Sequence, residues 1–395
     1  MFKINNQRID PDIFKNNIQK QNSKIQQLID EIINDNDLKI YIKKPDNLIA
    51  SLNELNNIIG NDDIKNDIYS QIKYLITEIK ENKSNKNMLN TVIYGPPGTG
   101  KTSIAIIMAK IWDSLGFLGN KKPIDFDYIL TEIGKDKLEL YIASFALLLT
   151  YLFSFLSFVY KLVSKFNYKI RIFIFILFVI LCFLVYTYLK DIIFLYINNI
   201  NKSDTSMYKI VSREDFVDRY VGHTDKKTNA LLNSNIGKVL IIDEAYSLVN
   251  DERDCFGAEA LTALNRFLSE NPGKIFIIMA GYKDLLKNGI FKIQPGLPRR
   301  FMWHFECPGY NYNELYDIFN YHIKKDGWKI KEDEIIHIKN MFEKNFTIFK
   351  SFGGDIEKLI FFAKLDHNDN NCPSKLLDFF NIKSGMVKLL NNNVY

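Results

Sequence analysis

Residues 95–102 read Gly95-Pro96-Pro97-Gly98-Thr99-Gly100-Lys101-Thr102, preceded by the short apolar run Thr91-Val92-Ile93-Tyr94. The run predicts a buried strand, and residues 103–115 predict a helix, so a glycine-rich turn joins a strand to a helix N-terminus. The glycines permit turn conformations that aim successive backbone N–H groups inward, forming an anion nest at that N-terminus. The spacing Gly-x4-Gly-Lys-Ser/Thr then assigns two side chains. Lys101 reaches the β- and γ-phosphates of a nucleotide, and the Thr102 hydroxyl ligates Mg²⁺. Gly95, Pro96, Pro97, Gly98, Thr99, Gly100, Lys101, Thr102 and Ser103 are the candidate nucleotide-binding residues.

Further short apolar runs predict strands at 208–211, 239–242, 274–279 and 302–305, separated by helical stretches such as 258–269. Strands alternating with helices imply a parallel sheet covered on both faces. The third run ends in two acids, Leu240-Ile241-Ile242-Asp243-Glu244. At the carboxyl edge of the sheet Asp243 holds Mg²⁺ through a water, and Glu244 polarises the attacking water. Beyond Pro308 the pattern is helical only, at 313–325, 332–345 and 354–364, which predicts a small all-α lid. Before the sheet, residues 13–33 carry apolar positions on one helical face, Pro45 marks a boundary, 64–79 reads as an amphipathic helix and 81–90 as a loop.

The chain has 395 residues, 47% hydrophobic and 25% charged, which excludes a disordered, collagenous or small disulfide-stapled protein. With 51 Lys plus Arg against 46 Asp plus Glu, its net charge is +5 and the charges are interspersed. A phosphate-backbone surface needs clustered bases, so a nucleic-acid partner is not expected. Cys182, Cys255, Cys307 and Cys372 lie far apart with no Cys-x-x-Cys pair, which argues for reduced thiols rather than a zinc site.

Two stretches break this average. Residues 140–160 and 172–189 contain no charged residue, and each is long enough as a helix to cross a hydrocarbon core of about 30 Å. Lys161, Lys165, Lys169 and Arg171 fill the gap between them, and polar spacers flank the pair. The reading is a membrane hairpin, either spanning or re-entrant, that interrupts the α/β domain on the side opposite the nucleotide. The ATP-using part then faces the cytosol.

Taken in order, the motifs resemble an AAA+ ATPase, most closely the branch of red-type Rubisco activases and sporulation-type relatives. Ile59-Gly60, the turn at 95–102, Ser212-Arg213-Glu214-Asp215-Phe216, Tyr220-Val221-Gly222-His223-Thr224, the run 240–248, Ala280-Gly281-Tyr282 and Pro295 to Phe301 carry the resemblance. It implies a P-loop αβα sandwich with a five-stranded parallel sheet, a helical lid and usually a hexameric ring. It assigns Tyr220, Val221 and Gly222 to a pore loop that grips polypeptide, and Gly60 with Ile59 and Ile64 to the adenine-side wall. Arg300 matches the arginine finger that reaches a neighbour's ATP, with Arg299 as its adjacent competitor. Where many relatives carry a polar residue after the fourth strand, this chain has Tyr282. In the lid, Lys358 either contacts phosphate in place of the family's arginine or pairs on the helix surface. The apolar pair lies outside the family pattern.

These readings divide the chain into an N-terminal helical segment (1–47), an ATPase domain (48–120 and 207–307), an insertion with the hairpin (121–206), a lid (308–366) and a tail (367–395). The expected function is a membrane-tethered ATPase that hydrolyses MgATP in a homo-oligomeric ring, with Lys101, Glu244 and Arg300 as its catalytic residues. It would remodel or thread a protein partner. A nucleic-acid translocase or loader and a nucleotide-switched membrane scaffold are the alternatives.

Overall fold

The computed structural model describes residues 23–81, 89–119, 168, 206–220, 222–251, 253–369 and 375–392. The chain divides into two units, 1–120 with 207–395, and 121–206. Both apolar stretches fall outside the described residues. Among the described residues no helix is long and apolar enough to cross a membrane.

The first unit is built on a five-stranded sheet in the order β2-β3-β4-β1-β5, all pairs parallel. Its strands are β1 (Thr91–Tyr94), β2 (Tyr208–Val211), β3 (Val239–Ile242), β4 (Phe276–Gly281) and β5 (Trp303–Glu306). Strands β1, β3 and β4 are buried along their whole length, as continuous apolar runs in a sheet covered on both faces must be. Alternate residues serve opposite faces. Ile93, Ile241 and Ile278 pack with the helices Lys24–Asn34, Pro45–Asn57, Asp62–Lys80 and Lys101–Leu115. Val92, Leu240, Ile242, Ile277 and Met279 pack with Thr224–Ser234 and Cys255–Glu270.

Strand positions match the expectation to within two residues, while three boundaries differ. Helix Lys24–Asn34 buries Ile25, Leu28, Ile29 and Ile32 in the core shared with Ile104 and Trp112, so the described part of 1–47 is no separate segment. Pro45 opens a helix rather than marking a break, because proline at the first helical position lacks only an N–H that has no partner there anyway. The lid is not helical only. Lys329–Ile330 pairs in parallel with Leu376–Leu377, and the expected tail contains helix Phe379–Asn392. Its Ile382, Met386 and Leu389 complete the lid core with Phe319, Phe342 and Leu359. Gly385 permits the contact, since a Cβ there would sit 3.0 Å from the Ala363 backbone nitrogen.

One ion pair fastens the second layer. Arg213, just after β2, donates to both carboxylate oxygens of Asp254 at 2.6 and 3.1 Å and also to the Leu248 carbonyl. Asp254 caps helix Cys255–Glu270 by accepting from Gly257 N–H, and its side chain is only 7% exposed. Burial alone would raise its pKa, but Arg213 and the Asn250 and Gly257 N–H groups outweigh it and hold the carboxyl at about 2. Asp254→Ala should therefore lower the unfolding free energy by about 2–4 kcal/mol, since it removes a cap and strands the Arg213 charge. This contribution is fully present above the unfolded value near 3.8 and disappears as pH falls towards 2. Urea unfolding of both proteins between pH 6 and pH 2 measures it.

Candidate active site

The phosphate loop owes its position to two strands that clamp β1. Gly95 N–H donates to Gly281 O at 3.1 Å, and Cys307 N–H donates to Tyr94 O at 2.8 Å, so the turn begins at the carboxyl edge between β4 and β5. Gly98 (φ +69°) and Gly100 (φ +83°) adopt the left-handed conformations that the glycine pattern anticipated. Helix Lys101–Leu115 starts at once, two residues earlier than the expected 103.

Residues far apart in sequence meet here. Thr102 Oγ1 donates to Asp243 Oδ2 at 2.6 Å. Asp243 Oδ1 accepts the Glu244 N–H at 3.0 Å, and Glu244 itself lies in the left-handed region (φ +49°) with its side chain exposed to the cleft. Lys101 Nζ donates to Pro96 O at 2.7 Å. Burial lowers the Lys101 pKa, and Cys307, Asp243 and Glu244 oppose that shift. The cleft holds about 570 Å³ and is lined by residues 97–103, by Ser212 and Asp215 after β2, and by Asp243, Glu244, Tyr246 and Tyr282.

These features fit MgATP. A cationic ammonium and a helix N-terminus face a cavity in the usual ligand-pocket range. A hydroxyl beside one carboxylate suits Mg²⁺, which prefers one or two carboxylates and completes its shell with phosphate and water. Among the described residues no cluster of three or more His, Cys, Asp or Glu forms a self-sufficient metal site.

Sequence patterns missed the loop's buttresses. Asn61 Nδ2 donates to Thr99 O (3.3 Å) and to the Tyr310 hydroxyl (3.2 Å), which itself donates to Thr99 O (3.1 Å). Gly353 N–H, from the lid, donates to Gly98 O at 3.1 Å. These contacts join separate regions of the chain, and no local pattern announces them. Tyr246 and Tyr282 were visible within quoted motifs but carried no assigned role.

The remaining candidates lie elsewhere. Ile64 is a core residue rather than an adenine wall, because helix Asp62–Lys80 turns it inward. Gly60 (φ +66°) packs under Glu314, whose Oε1 would lie 2.6 Å from an added Cβ. Arg300 donates to Ser269 Oγ at 3.0 and 2.8 Å, outside the cleft lining, while Arg299 beside it is exposed. Tyr220 is 69% exposed, Gly222 (φ +78°) has open space around it, and Val221 lies outside the described residues. Lys358 pairs with Asp355 at 3.2 Å, but Asp355 is buried, so the pair does not lie wholly on a solvated helix face.

Gly98→Ala should weaken nucleotide binding at least about tenfold, because it strains a left-handed residue and the loop must move. The new Cβ would fall 2.0 Å from Ser351 O. Gly289→Ala, with nothing within 4 Å of its added Cβ, should bind as the parent does. Titration with a fluorescent ATP analogue compares the two.

The chain is similar in sequence to several known proteins. A family profile described as "ATPase family associated with various cellular activities (AAA)" matches residues 195–308, the half of the domain that holds Asp243, Glu244 and Arg300. A putative cfxQ-like protein of Acanthamoeba polyphaga mimivirus is 29% identical over 353 residues, 88% of this chain and 66% of that one. Protein CbbX of Cereibacter sphaeroides is 37% identical over 122 residues, 30% of this chain and 39% of its own. The chloroplastic ribulose bisphosphate carboxylase/oxygenase activase of Cyanidioschyzon merolae is 35% identical over 141 residues, 35% of this chain and 45% of its own. A solved Thermotoga maritima RuvB variant covers 85% of this chain and 72% of its own, with 12% identity and a TM-score of 0.45. The chain spans less than two thirds of the length of these three curated relatives. Residues 195–308 thus match the AAA ATPase family, and the chain is related in sequence to proteins named CbbX, CfxQ and Rubisco activase.

Proposed function

We propose that the chain binds and hydrolyses MgATP in this cleft, works as a homo-oligomeric ring, and acts on a protein partner beside a membrane. The 2.6 Å contact between Thr102 and Asp243 carries the catalytic part, because it sets a nucleotide-holding helix against the acidic end of β3. Lys101 and the loop N–H groups bind the phosphates. Thr102 and Asp243 hold Mg²⁺, which when bound neutralises charge on the phosphate oxygens. Glu244, next to Asp243 and open to the cleft, orients the attacking water and takes its proton.

A relative named for activating another enzyme favours a protein partner. So does Tyr220, whose ring is exposed on a turn held by two backbone N–H groups donating to Asp218 Oδ1. An exposed aromatic gives large apolar contact to an extended polypeptide without reading its sequence. The ring reading rests on Arg299 and Arg300, which stand outside their own cleft: Arg299 is exposed, and Arg300 would exchange its Ser269 contact for a neighbour's phosphate. The tether rests on the uncharged stretches 140–160 and 172–189. The ATP-hydrolysing unit would then lie on the cytosolic side of a membrane.

Lys101→Ala should abolish ATP binding, whereas Glu244→Gln should keep ATP and lose hydrolysis by at least about a hundredfold. Equilibrium binding and phosphate release measure both, and variants that bind and hydrolyse as the parent does would overturn the assignment.

The ATP-bound Glu244→Gln protein also tests the other two parts. It should sediment as a closed oligomer, and it should float with liposomes and resist carbonate extraction. A monomer would remove the ring, and a protein released by carbonate would remove the membrane anchor.

A further inference from the structure

The cleft contains two aromatic side chains that binding and hydrolysis, as described, do not use. Tyr246 follows Glu244 by two residues on the short helical turn Ala245–Leu248, and Tyr282 directly follows β4. Their rings stack at 5.1 Å between centroids and 24° between planes. Gly281 makes this possible, since an added Cβ would stand 3.1 Å from Tyr246 Cδ1. On the other side Lys101 Nζ lies 5.6 Å from the centre of the Tyr282 ring. Both tyrosines line the cleft with Glu244. Burial first, then the neighbouring Glu244 and Tyr282, pushes the Tyr246 phenol up to about 12, so its hydroxyl keeps its proton and remains a donor.

Glu244 needs such a donor. Its backbone sits in a left-handed conformation that non-glycine residues rarely adopt, and its side chain is exposed. A carboxylate free to rotate is a poor base, because water activation depends on its staying within hydrogen-bond reach of the attacking oxygen. We propose that Tyr246 is a positioning residue for ATP hydrolysis: its hydroxyl steadies the Glu244 carboxylate, and the ring of Tyr282, held beneath Lys101, fixes Tyr246 in place. The stack thereby ties the lysine that binds phosphate to the glutamate that activates water. This rests on Glu244 being the base, as proposed above.

Tyr246→Phe removes one hydroxyl and keeps the ring. It should lower kcat about tenfold, the worth of one hydrogen bond to a charged group, with KM and the affinity for a non-hydrolysable ATP analogue within about twofold. Tyr282→Leu should lower kcat similarly, and Tyr282→Phe, which preserves the stack, should restore it. In the nucleotide-free protein the thermal-stability changes of Tyr246→Phe and Glu244→Gln should be non-additive, as they are for groups in contact.

An unchanged kcat in Tyr246→Phe, additive stability changes, or equal defects in Tyr282→Phe and Tyr282→Leu would each overturn the proposal while leaving Glu244 as the base. A Glu244→Gln protein that hydrolyses ATP normally would instead overturn the underlying reading, and the positioning role with it.

Discussion

The whole site depends on β1 lying between β4 and β5. Parallel pairing aligns Tyr94 with Gly281 on one side and with Glu306 on the other. The strand therefore ends with both of its next backbone partners in place, and the phosphate loop starts from a fixed point. Gly95 is obligatory at that point, since a Cβ would fall 2.6 Å from the Cys307 carbonyl. The same sheet order sets β3 two places from β1, which leaves room for helix Lys101–Leu115 to present Thr102 to Asp243. Parallel strands align their carboxyl ends, so residues separated by more than a hundred positions share one edge.

What could be read from the sequence was whatever is local. A four-residue apolar run buried on both faces, a glycine-rich turn and an acidic pair after a strand each carry their physics within a few residues. Strands and phosphate loop were legible for that reason. Asn61 was not, because its role comes from lying between Thr99 and Tyr310, which belong to distant segments. Nor was the helix Phe379–Asn392, whose exposed face carries Phe380, Val387 and Leu390 and blurs the amphipathic pattern. Ile64 fits a helix face in sequence, yet only packing shows that the face is core and not ligand wall.

The acidic end of β3 shows how local strain and distant support combine. Glu244 stands at φ +49°, a cost for a side chain with a Cβ that surrounding contacts must offset. Its N–H is held by Asp243 and its carbonyl accepts Ser247 N–H at 2.7 Å. The following turn buries Ala245 and Leu248, so the strained residue is fixed from both sides. Arg213 reaches the Leu248 carbonyl and Asp254 together, which anchors that turn to the helix beyond it. A largely buried ion pair thus stabilises the geometry of the catalytic edge through the backbone.

The same topology explains how the domain tolerates a long interruption. After helix Lys101–Leu115 the chain has returned to the amino edge of the sheet, where Gly119 N–H donates to Gly237 O at 2.9 Å. It re-enters at Met207, whose carbonyl accepts Val239 N–H at 3.0 Å. Both ends of residues 120–206 are therefore pinned to the one short segment that opens β3. What lies between need not transmit strain, since the two ends already sit beside each other whatever their connection, and lengthening such a connection costs little closure entropy. The four residues of β3 separate these pins from Asp243 by roughly 13 Å at the usual strand rise. The chain therefore leaves and re-enters this sheet at the edge opposite Asp243 and Glu244.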